Sequence, residues 1–159
     1  MLTALSLKYL NYFNPFFSVC QYKKEKFFIH INVEKENLSA YMDSRLISQV
    51  IFNLVDNAMK YSPEGTNIVI KAEADGNDLK ISVIDEGAGI SDEDKAKIFD
   101  MFYTVNNKIA DGRRGLGLGL ALCKAVIEAH GGKVNIMDNK PCGTIFSFDI
   151  KSDVENNNE

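Results

Sequence analysis

Three polar side chains follow one another along a single stripe of a predicted helix. Asn53, Asn57 and Lys60 lie in a helical pattern that begins after Asp43 and continues to about Tyr61. At ~100° per residue, the stripe is rotated about 120° from the apolar face, so these side chains flank the core. Asparagine is a poor helix former, and two amides stacked beside a core need polar partners. Ordinary polar helix positions remain the alternative interpretation.

A carboxylate is predicted on the inward face of a strand. The alternation in LKISVID places Asp85 on the same face as the apolar residues before it. A carboxylate there needs donors, and the amino group of an adenine, reached directly or through water, would serve. The alternative is an Asp that caps the turn before Glu86. Gly87 and Gly89 loosen that turn and would let a flat base approach the backbone.

The most unusual stretch is a glycine–leucine alternation that leads into a helix. Free N–H groups at a helix N-terminus bind anions, and glycine permits close approach. Arg113 and Arg114 precede the run and would add positive charge toward a triphosphate. The spacing fits neither a P-loop nor G-x-G-x-x-G, and a purely structural turn remains possible. The run consists of Gly115, Leu116, Gly117, Leu118, Gly119 and Leu120.

The elements that must position these residues are predicted from periodicity and turn signals. Strand patterns occupy 27–33 and 38–41, and two alternating runs, NIVIKAEA and LKISVID, form a hairpin around an Asp-Gly turn. A capping box at Ser91 and Asp94 predicts a helix that runs through Phe102. A second helix is expected over 119–130, followed by a final hairpin of KVNIMD and TIFSFDI.

This order of elements predicts an α/β sandwich. We expect a mixed, mostly antiparallel sheet of about five strands with three main helices packed on one face. The polar segment 104–114 has no periodicity and is predicted to be a lid. Three parts are expected: an N-terminal arm or linker remnant over 1–26, one domain over 27–150, and a disordered tail over 151–159. The first 20 residues are interpreted as a helical remnant or an arm.

Composition excludes several functional classes. With 159 residues, a net charge of −4 and a sequence pI near 5.2, the chain is not expected to bind nucleic acid. Its apolar runs are shorter than the roughly 20 residues that span a bilayer, so no direct membrane insertion is expected. Cys20, Cys123 and Cys142 are scattered, which favours a reducing cytoplasm over a cysteine metal site.

Five motifs, in this order, resemble the histidine-kinase branch of the ATPase superfamily that includes gyrase, mismatch-repair and heat-shock chaperone ATPases. Residues 53–61 resemble its asparagine box, 85–90 its first glycine box, and 99–102 its phenylalanine box. Residues 115–120 resemble its second glycine box, and 143–146 its closing glycine–threonine strand. The resemblance covers roughly residues 27–150 and implies that the domain binds ATP and Mg²⁺.

The resemblance also implies a role for each matching residue. Asn57 would give its amide oxygen to Mg²⁺, and Asp85 would read adenine with help from Thr144. Residues 104–114 would form a mobile lid with Phe99 and Phe102 anchoring its base. The catalytic set would be Asn53, Asn57 and Lys60, and further ATP contacts are implied for Tyr61, Asp85, Gly87, Gly89, Ile90, Phe99, Phe102, Arg113, Arg114, Gly115, Leu116, Gly117, Leu118, Gly119, Leu120 and Thr144.

One departure from the hydrolysing members of the superfamily bears on mechanism. They carry a water-activating Glu four residues before the metal-binding Asn, where this chain has Asn53, and an amide cannot act as a general base. The resemblance therefore implies transfer of the γ-phosphoryl group to a histidine on a separate dimerisation domain, with a response regulator downstream. His30 and His130 lack the context of a phosphoacceptor, so the chain is expected to be a monomeric catalytic lobe that does not phosphorylate itself.

Two alternatives from other classes stay open. Partner-switching serine kinases that bind a sigma factor have a similar size, and a nucleotide sensor without transfer chemistry would need the same fold. The phenylalanine box and the arginines at 113 and 114 favour the histidine-kinase branch. Residues 111–132 resemble the potassium-responsive sensor kinases in particular, which implies a cytoplasmic domain of a parent attached to the inner membrane.

Overall fold

Seven strands and three helices make up the computed structural model, which describes residues 3–6, 26–34, 39–105 and 116–151. The strands are β1 (Thr3–Ser6), β2 (Phe28–Val33), β3 (Ser39–Met42), β4 (Asn67–Asp75), β5 (Asp78–Ile84), β6 (Val134–Asp138) and β7 (Thr144–Lys151). The helices are α1 (Ser44–Tyr61), α2 (Asp92–Lys95) and α3 (Gly119–Ala129). Within these residues, no helix has the length and apolar character needed to cross a bilayer.

Five strands form one mixed sheet in the order β2-β4-β5-β7-β6. β2 runs parallel to β4, and the other neighbours are antiparallel. Val83 of β5 stands between Ile70 of β4 and Phe146 of β7, so the inward residues of three strands form continuous rows. α1 and α3 contact each other and the sheet. The predicted α/β sandwich with a mixed sheet is therefore confirmed.

The long helix begins after Asp43 and ends at Tyr61, as predicted. The Asp43 side chain accepts hydrogen bonds from the N–H groups of Arg45 and Leu46, and Ser62 is the C-cap. Its apolar stripe is buried against the core as expected, apart from Leu46, which is 45% exposed. Leu46 lies at the edge of the stripe, whereas the next residue, Ile47, faces the core and is buried.

Two predictions about local structure are wrong. The capping box at Ser91 is present, since Asp94 N–H donates to Ser91 Oγ, but the helix that it opens ends at Lys95 instead of reaching Phe102. Phe102 has a φ of 65°, which no α-helix accommodates. Residues 3–6 form a strand paired with Ser39–Met42 in a separate two-stranded sheet, so the helical alternative for this segment is wrong for these four residues.

Candidate functional site

Asp85 follows the last residue of β5 and continues its inward-facing row. Its backbone N–H donates to the Thr144 carbonyl oxygen at 2.9 Å, which extends the β5–β7 pairing by one residue. Its side chain is 5% exposed, so the prediction of an inward carboxylate is confirmed. Oδ1 accepts from the N–H groups of Gly87 at 2.8 Å and Thr144 at 3.1 Å. The carboxylate thus caps the turn, as the alternative interpretation expects, and its contact with adenine stays a prediction.

The two oxygens of this carboxylate have different surroundings. Both hydrogen bonds go to Oδ1, and Oδ2 accepts none from the residues that the structure describes. Oδ2 is not among the fully enclosed side-chain polar atoms that lack a partner, a group which in that part of the chain consists of Ser62 Oγ alone. Burial raises the pKa of Asp85, and the hydrogen bonds from Gly87 and Thr144 oppose that rise. The carboxylate therefore has one oxygen held by two N–H groups and a second oxygen that receives no hydrogen bond from the described residues.

This raised pKa predicts how the stability of the domain depends on pH. The folded state holds the Asp85 proton more tightly than the unfolded chain does. Its contribution to stability is therefore fully present below the ordinary carboxyl pKa of 3.8 and is lost as the pH rises through the raised value. An Asn at position 85 does not ionise, so Asp85→Asn avoids this loss of stability. The variant should therefore melt at a higher temperature than the wild type at neutral pH. The difference should shrink as the pH falls toward about 4 in thermal scans.

The matched control for this comparison is Asp75→Asn, at the exposed far end of β4. That variant should follow the wild type across the whole pH range. A lower melting temperature for Asp85→Asn at neutral pH would contradict the prediction. It would mean that the hydrogen bonds to the ionised carboxylate outweigh the cost of burying it.

Two glycines let three chain segments meet at Asp85. A Cβ on Gly87 would lie 2.9 Å from Asp85 Oδ1 and 2.9 Å from the Tyr61 carbonyl oxygen. Gly87 therefore lets the turn after β5 pack directly on the end of α1. Gly143 has a φ of 115°, and a Cβ there would overlap the Asp85 carbonyl oxygen. The asparagine box, the first glycine box and the glycine–threonine strand consequently converge on one carboxylate.

The polar stripe of α1 is half-buried, as predicted. Asn53 Oδ1 accepts from Gln49 Nε2 at 3.2 Å, and its side chain also interacts with the Cys123 thiol of α3. Asn57 is half-buried one turn further on. Lys60 Nζ lies 5.4 Å from the ring centroid of Tyr61, which is 50% exposed. The stripe thus runs from the α1–α3 contact to the helix end beside the Asp85 turn.

The phenylalanine box contacts the second glycine box through the backbone. Phe102 N–H donates to the Gly117 carbonyl oxygen at 3.0 Å, and a Cβ on Gly117 would lie 2.7 Å from Tyr103 O. Phe99 packs edge-on against Phe146, with ring centroids 6.4 Å apart. Phe99 therefore holds this segment against the core, and its role at the base of the lid stays a prediction. The ring of Phe102 is 70% exposed, so any anchoring by this residue comes from its main chain.

The glycine–leucine run is described from Leu116 onward. Leu118 is the N-cap of α3 and supplies no side-chain hydrogen bond, so the first N–H groups of the helix have no cap from it. Leu120, like Ile90 after the Asp85 turn, packs against the core. Arg113, Arg114 and Gly115, with most of the predicted lid, lie outside the described residues.

Sequence reasoning missed several polar residues that hold the Asp85 turn. Glu86 accepts from both the backbone N–H and the side-chain amide of Asn67, at 3.3 and 3.1 Å. Asn67 in turn contacts His30 Nε2 at 3.1 Å. Asn139 Nδ2 donates to the Asp85 carbonyl oxygen at 2.8 Å. These residues are far apart in the chain, so no local spacing pattern connects them.

Both described cysteines flank this region. Cys123 is buried in α3 and donates to the Val50 carbonyl oxygen at 3.8 Å. Burial raises the pKa of the Cys123 thiol to about 11, and a hydrogen bond with Asn53 opposes that rise. Cys142 is exposed, with its sulfur 4.0 Å from the Glu86 carbonyl oxygen.

The comparison with known proteins agrees with this geometry. Residues 42–154 match the family described as histidine kinase-, DNA gyrase B-, and HSP90-like ATPases. The catalytic domain of the histidine kinase ThkA superposes with a TM-score of 0.79 at 30% sequence identity, covering 95% of both chains. The chain belongs to the histidine-kinase catalytic domains of this ATPase family. That membership favours the histidine-kinase interpretation over the partner-switching one.

Two further relatives show how this histidine-kinase catalytic domain relates to longer proteins. The sensor protein KdpD of Clostridium acetobutylicum is 46% identical over 126 residues, which is 79% of this chain and 14% of KdpD. ThkA in complex with the response regulator protein TrrA superposes with a TM-score of 0.76 at 30% identity, over 94% of this chain and 41% of ThkA. The chain thus spans only a small part of the sensor protein that it matches.

Proposed function

We propose that this domain binds ATP with Mg²⁺ and presents the γ-phosphoryl group to a histidine on a separate dimerisation domain. The observation that carries the proposal is the buried Asp85 carboxylate, in which Oδ1 is held by two N–H groups and Oδ2 receives no donor from the described residues. An adenine amino group is a neutral donor of the right kind for such an oxygen. Gly89, with a φ of 78°, keeps the neighbouring turn free of a side chain where a flat base would enter.

The phosphate end of the ligand would lie toward α3. The N-terminus of that helix carries N–H groups that Leu118 does not cap, and the helix dipole favours negative charge there. Lys60 on α1 would add a positive charge, with Tyr61 beside it. Arg113, Arg114 and Gly115 are proposed to complete the site from the lid, which would close over the triphosphate.

Asn57 is the proposed protein ligand for Mg²⁺. An amide oxygen is a hard donor of the kind that Mg²⁺ accepts, and the metal usually completes its shell with phosphates and water. No group of three or more His, Cys, Asp or Glu side chains in the described ranges is arranged to hold a metal ion. A site made of one amide and the ligand's phosphates fits this chain. When bound, the metal would neutralise charge on the transferred group.

Transfer is favoured over hydrolysis by the residue type at position 53. Asn53 is engaged with Gln49 and Cys123, and its amide cannot take a proton from water. The residues present would therefore act by positioning the nucleotide and stabilising its charge. Phosphoryl transfer depends mainly on those two effects.

The phosphoacceptor is proposed to lie outside the described residues. His130 has both ring nitrogens in use: Nε2 accepts from the Asp43 N–H at 3.0 Å, and Nδ1 lies 2.7 Å from the Val126 carbonyl oxygen. A nitrogen that accepts a main-chain hydrogen bond is not free to attack phosphorus. ThkA forms a complex with a response regulator, which supports a response regulator as the downstream partner of this chain.

The sequence also supports proposals for the subfamily of the chain and for the limits of its domain. Residues 111–132 and the 46% identity with KdpD support a place among the potassium-responsive sensor kinases. We propose 27–150 as the catalytic domain, with 1–26 as an arm or linker and 151–159 as a tail. A cytoplasmic location and an inner-membrane parent stay predictions.

The decisive test is calorimetric titration with a non-hydrolysable ATP analogue, with and without Mg²⁺. The wild type should bind, and Mg²⁺ should strengthen binding by about tenfold. Asn57→Ala should lose most of that gain because the protein ligand to the metal is gone. The control Asn32→Ala removes an exposed amide on β2 and should keep the full gain. An equal gain in both variants would contradict the metal assignment, and no binding by folded wild type would contradict the proposed function.

A further inference from the structure

The loop between β6 and β7 reaches back to Asp85 through one side chain. Asn139 Nδ2 donates to the Asp85 backbone carbonyl oxygen at 2.8 Å, and Asn139 is half-buried. The Asn139 N–H donates to the Gly143 carbonyl oxygen at 3.0 Å, which closes the loop on itself. The amide is therefore held on a short, closed hairpin when it contacts Asp85.

Hydrogen bonds hold Asp85 from several directions. The Asp85 N–H is held by Thr144 O at 2.9 Å, its carbonyl oxygen by Asn139, and Oδ1 by the N–H groups of Thr144 and Gly87. Gly143 packs against the same carbonyl oxygen, where there is no room for a Cβ. Asn139 is the only side chain among these contacts, since all the other donors and acceptors on the partner residues belong to the main chain.

We propose that Asn139 is a positioning residue that sets the direction of Asp85 Oδ2 and thereby the selectivity of the site for adenine. The inference rests on the proposed function, because it concerns the same carboxylate. A carboxylate discriminates an amino group from a carbonyl oxygen only when its free oxygen points along the donor's N–H. Losing the amide releases the Asp85 peptide unit on one side, so Oδ2 becomes less well directed.

A merely structural Asn139 would behave differently. If the amide only stabilised the hairpin, its loss would lower the folded fraction and weaken all nucleotides alike. A change in the ratio of two affinities, measured on the same sample, does not depend on the folded fraction. Inosine triphosphate is the matched probe because it carries an oxygen where adenine carries its amino group.

The experiment measures displacement of a fluorescent nucleotide by ATP and by inosine triphosphate, with Mg²⁺, on the full chain. Asn139→Asp keeps the shape and replaces the donor with a carboxylate that repels the Asp85 carbonyl oxygen. Asn139→Ala removes the donor without repulsion, which keeps the test usable if the first variant folds poorly. Asn135→Asp is the control: Asn135 is exposed on β6, and its Oδ1 only accepts from Ile136 N–H, which an Asp can also do. Asp85→Asn serves as the reference for a site that has completely lost its preference for ATP over inosine triphosphate.

The wild type and Asn135→Asp should prefer ATP equally. Asn139→Asp and Asn139→Ala should each lose about five- to tenfold of that preference, as expected for one misdirected hydrogen bond. An unchanged ATP preference in both Asn139 variants, alongside its loss in Asp85→Asn, would overturn the role of Asn139 and leave the proposed function intact. Failure of the folded wild type to bind either nucleotide would overturn both.

Discussion

Asp85→Asn should weaken binding of an ATP analogue by about 10- to 100-fold at neutral pH, the range expected when a charge-assisted hydrogen bond is lost. The variant keeps an acceptor at Oδ1 for Gly87 and Thr144, so the turn should stay in place. The amide nitrogen would occupy the position of Oδ2 and would set a donor against the adenine amino group. Calorimetric titration with saturating Mg²⁺ gives the affinity directly.

The control for this titration is again Asp75→Asn, which removes one charge at the far, exposed end of β4. This control shows how much of the change in affinity comes from the altered net charge alone, without loss of the contact at Asp85. Its affinity should equal that of the wild type. Full-strength binding by Asp85→Asn would show that this carboxylate does not read the base, even if the domain binds ATP.

Gly143→Ala should destabilise the domain strongly, with a loss of about 3 kcal/mol or more of the free energy of unfolding. The new Cβ would overlap the Asp85 carbonyl oxygen at a φ of 115°, where side chains are strained. Either the β6–β7 loop or the Asp85 turn must move, so nucleotide binding should fall as well. Urea denaturation, with its slope as a check on two-state behaviour, measures the effect.

Gly76→Ala provides the comparison for Gly143. Gly76 also has a positive φ, 62°, but a Cβ there meets nothing within 4 Å. Its replacement should cost about 1 kcal/mol from the backbone conformation alone and leave binding unchanged. If the two alanine variants lost the same stability, close packing at Gly143 would not be the reason for its glycine.

Periodic and local features could be predicted from the sequence because they depend on near neighbours in the chain. Spacing and turn signals predict the α1 helix with its start after Asp43, the β4–β5 hairpin and the inward side of Asp85. Predicting the mixed sheet also required the order of the helices and strands along the chain. These are the features for which burial and hydrogen bonding agree with intrinsic preference.

The features that could not be predicted depend on contacts between distant segments. The helix opened by Ser91 ends early, and Phe102 adopts a positive φ where its main chain contacts Gly117. No propensity scale anticipates such a conformation, because the partner is supplied by the fold. Asn139 looks like an ordinary turn residue until the β7 pairing brings its amide to Asp85.

The two described cysteines differ in a way that makes one of them a natural labelling position. Cys123 is buried and its raised pKa keeps it protonated, so alkylating reagents should not react with it. Cys142 is exposed on the loop beside the Asp85 turn, with its sulfur 4.0 Å from Glu86 O. Once Cys20 is replaced by Ser, a maleimide dye on Cys142 would lie at the edge of the proposed adenine site. Its emission would report nucleotide entry in stopped-flow records.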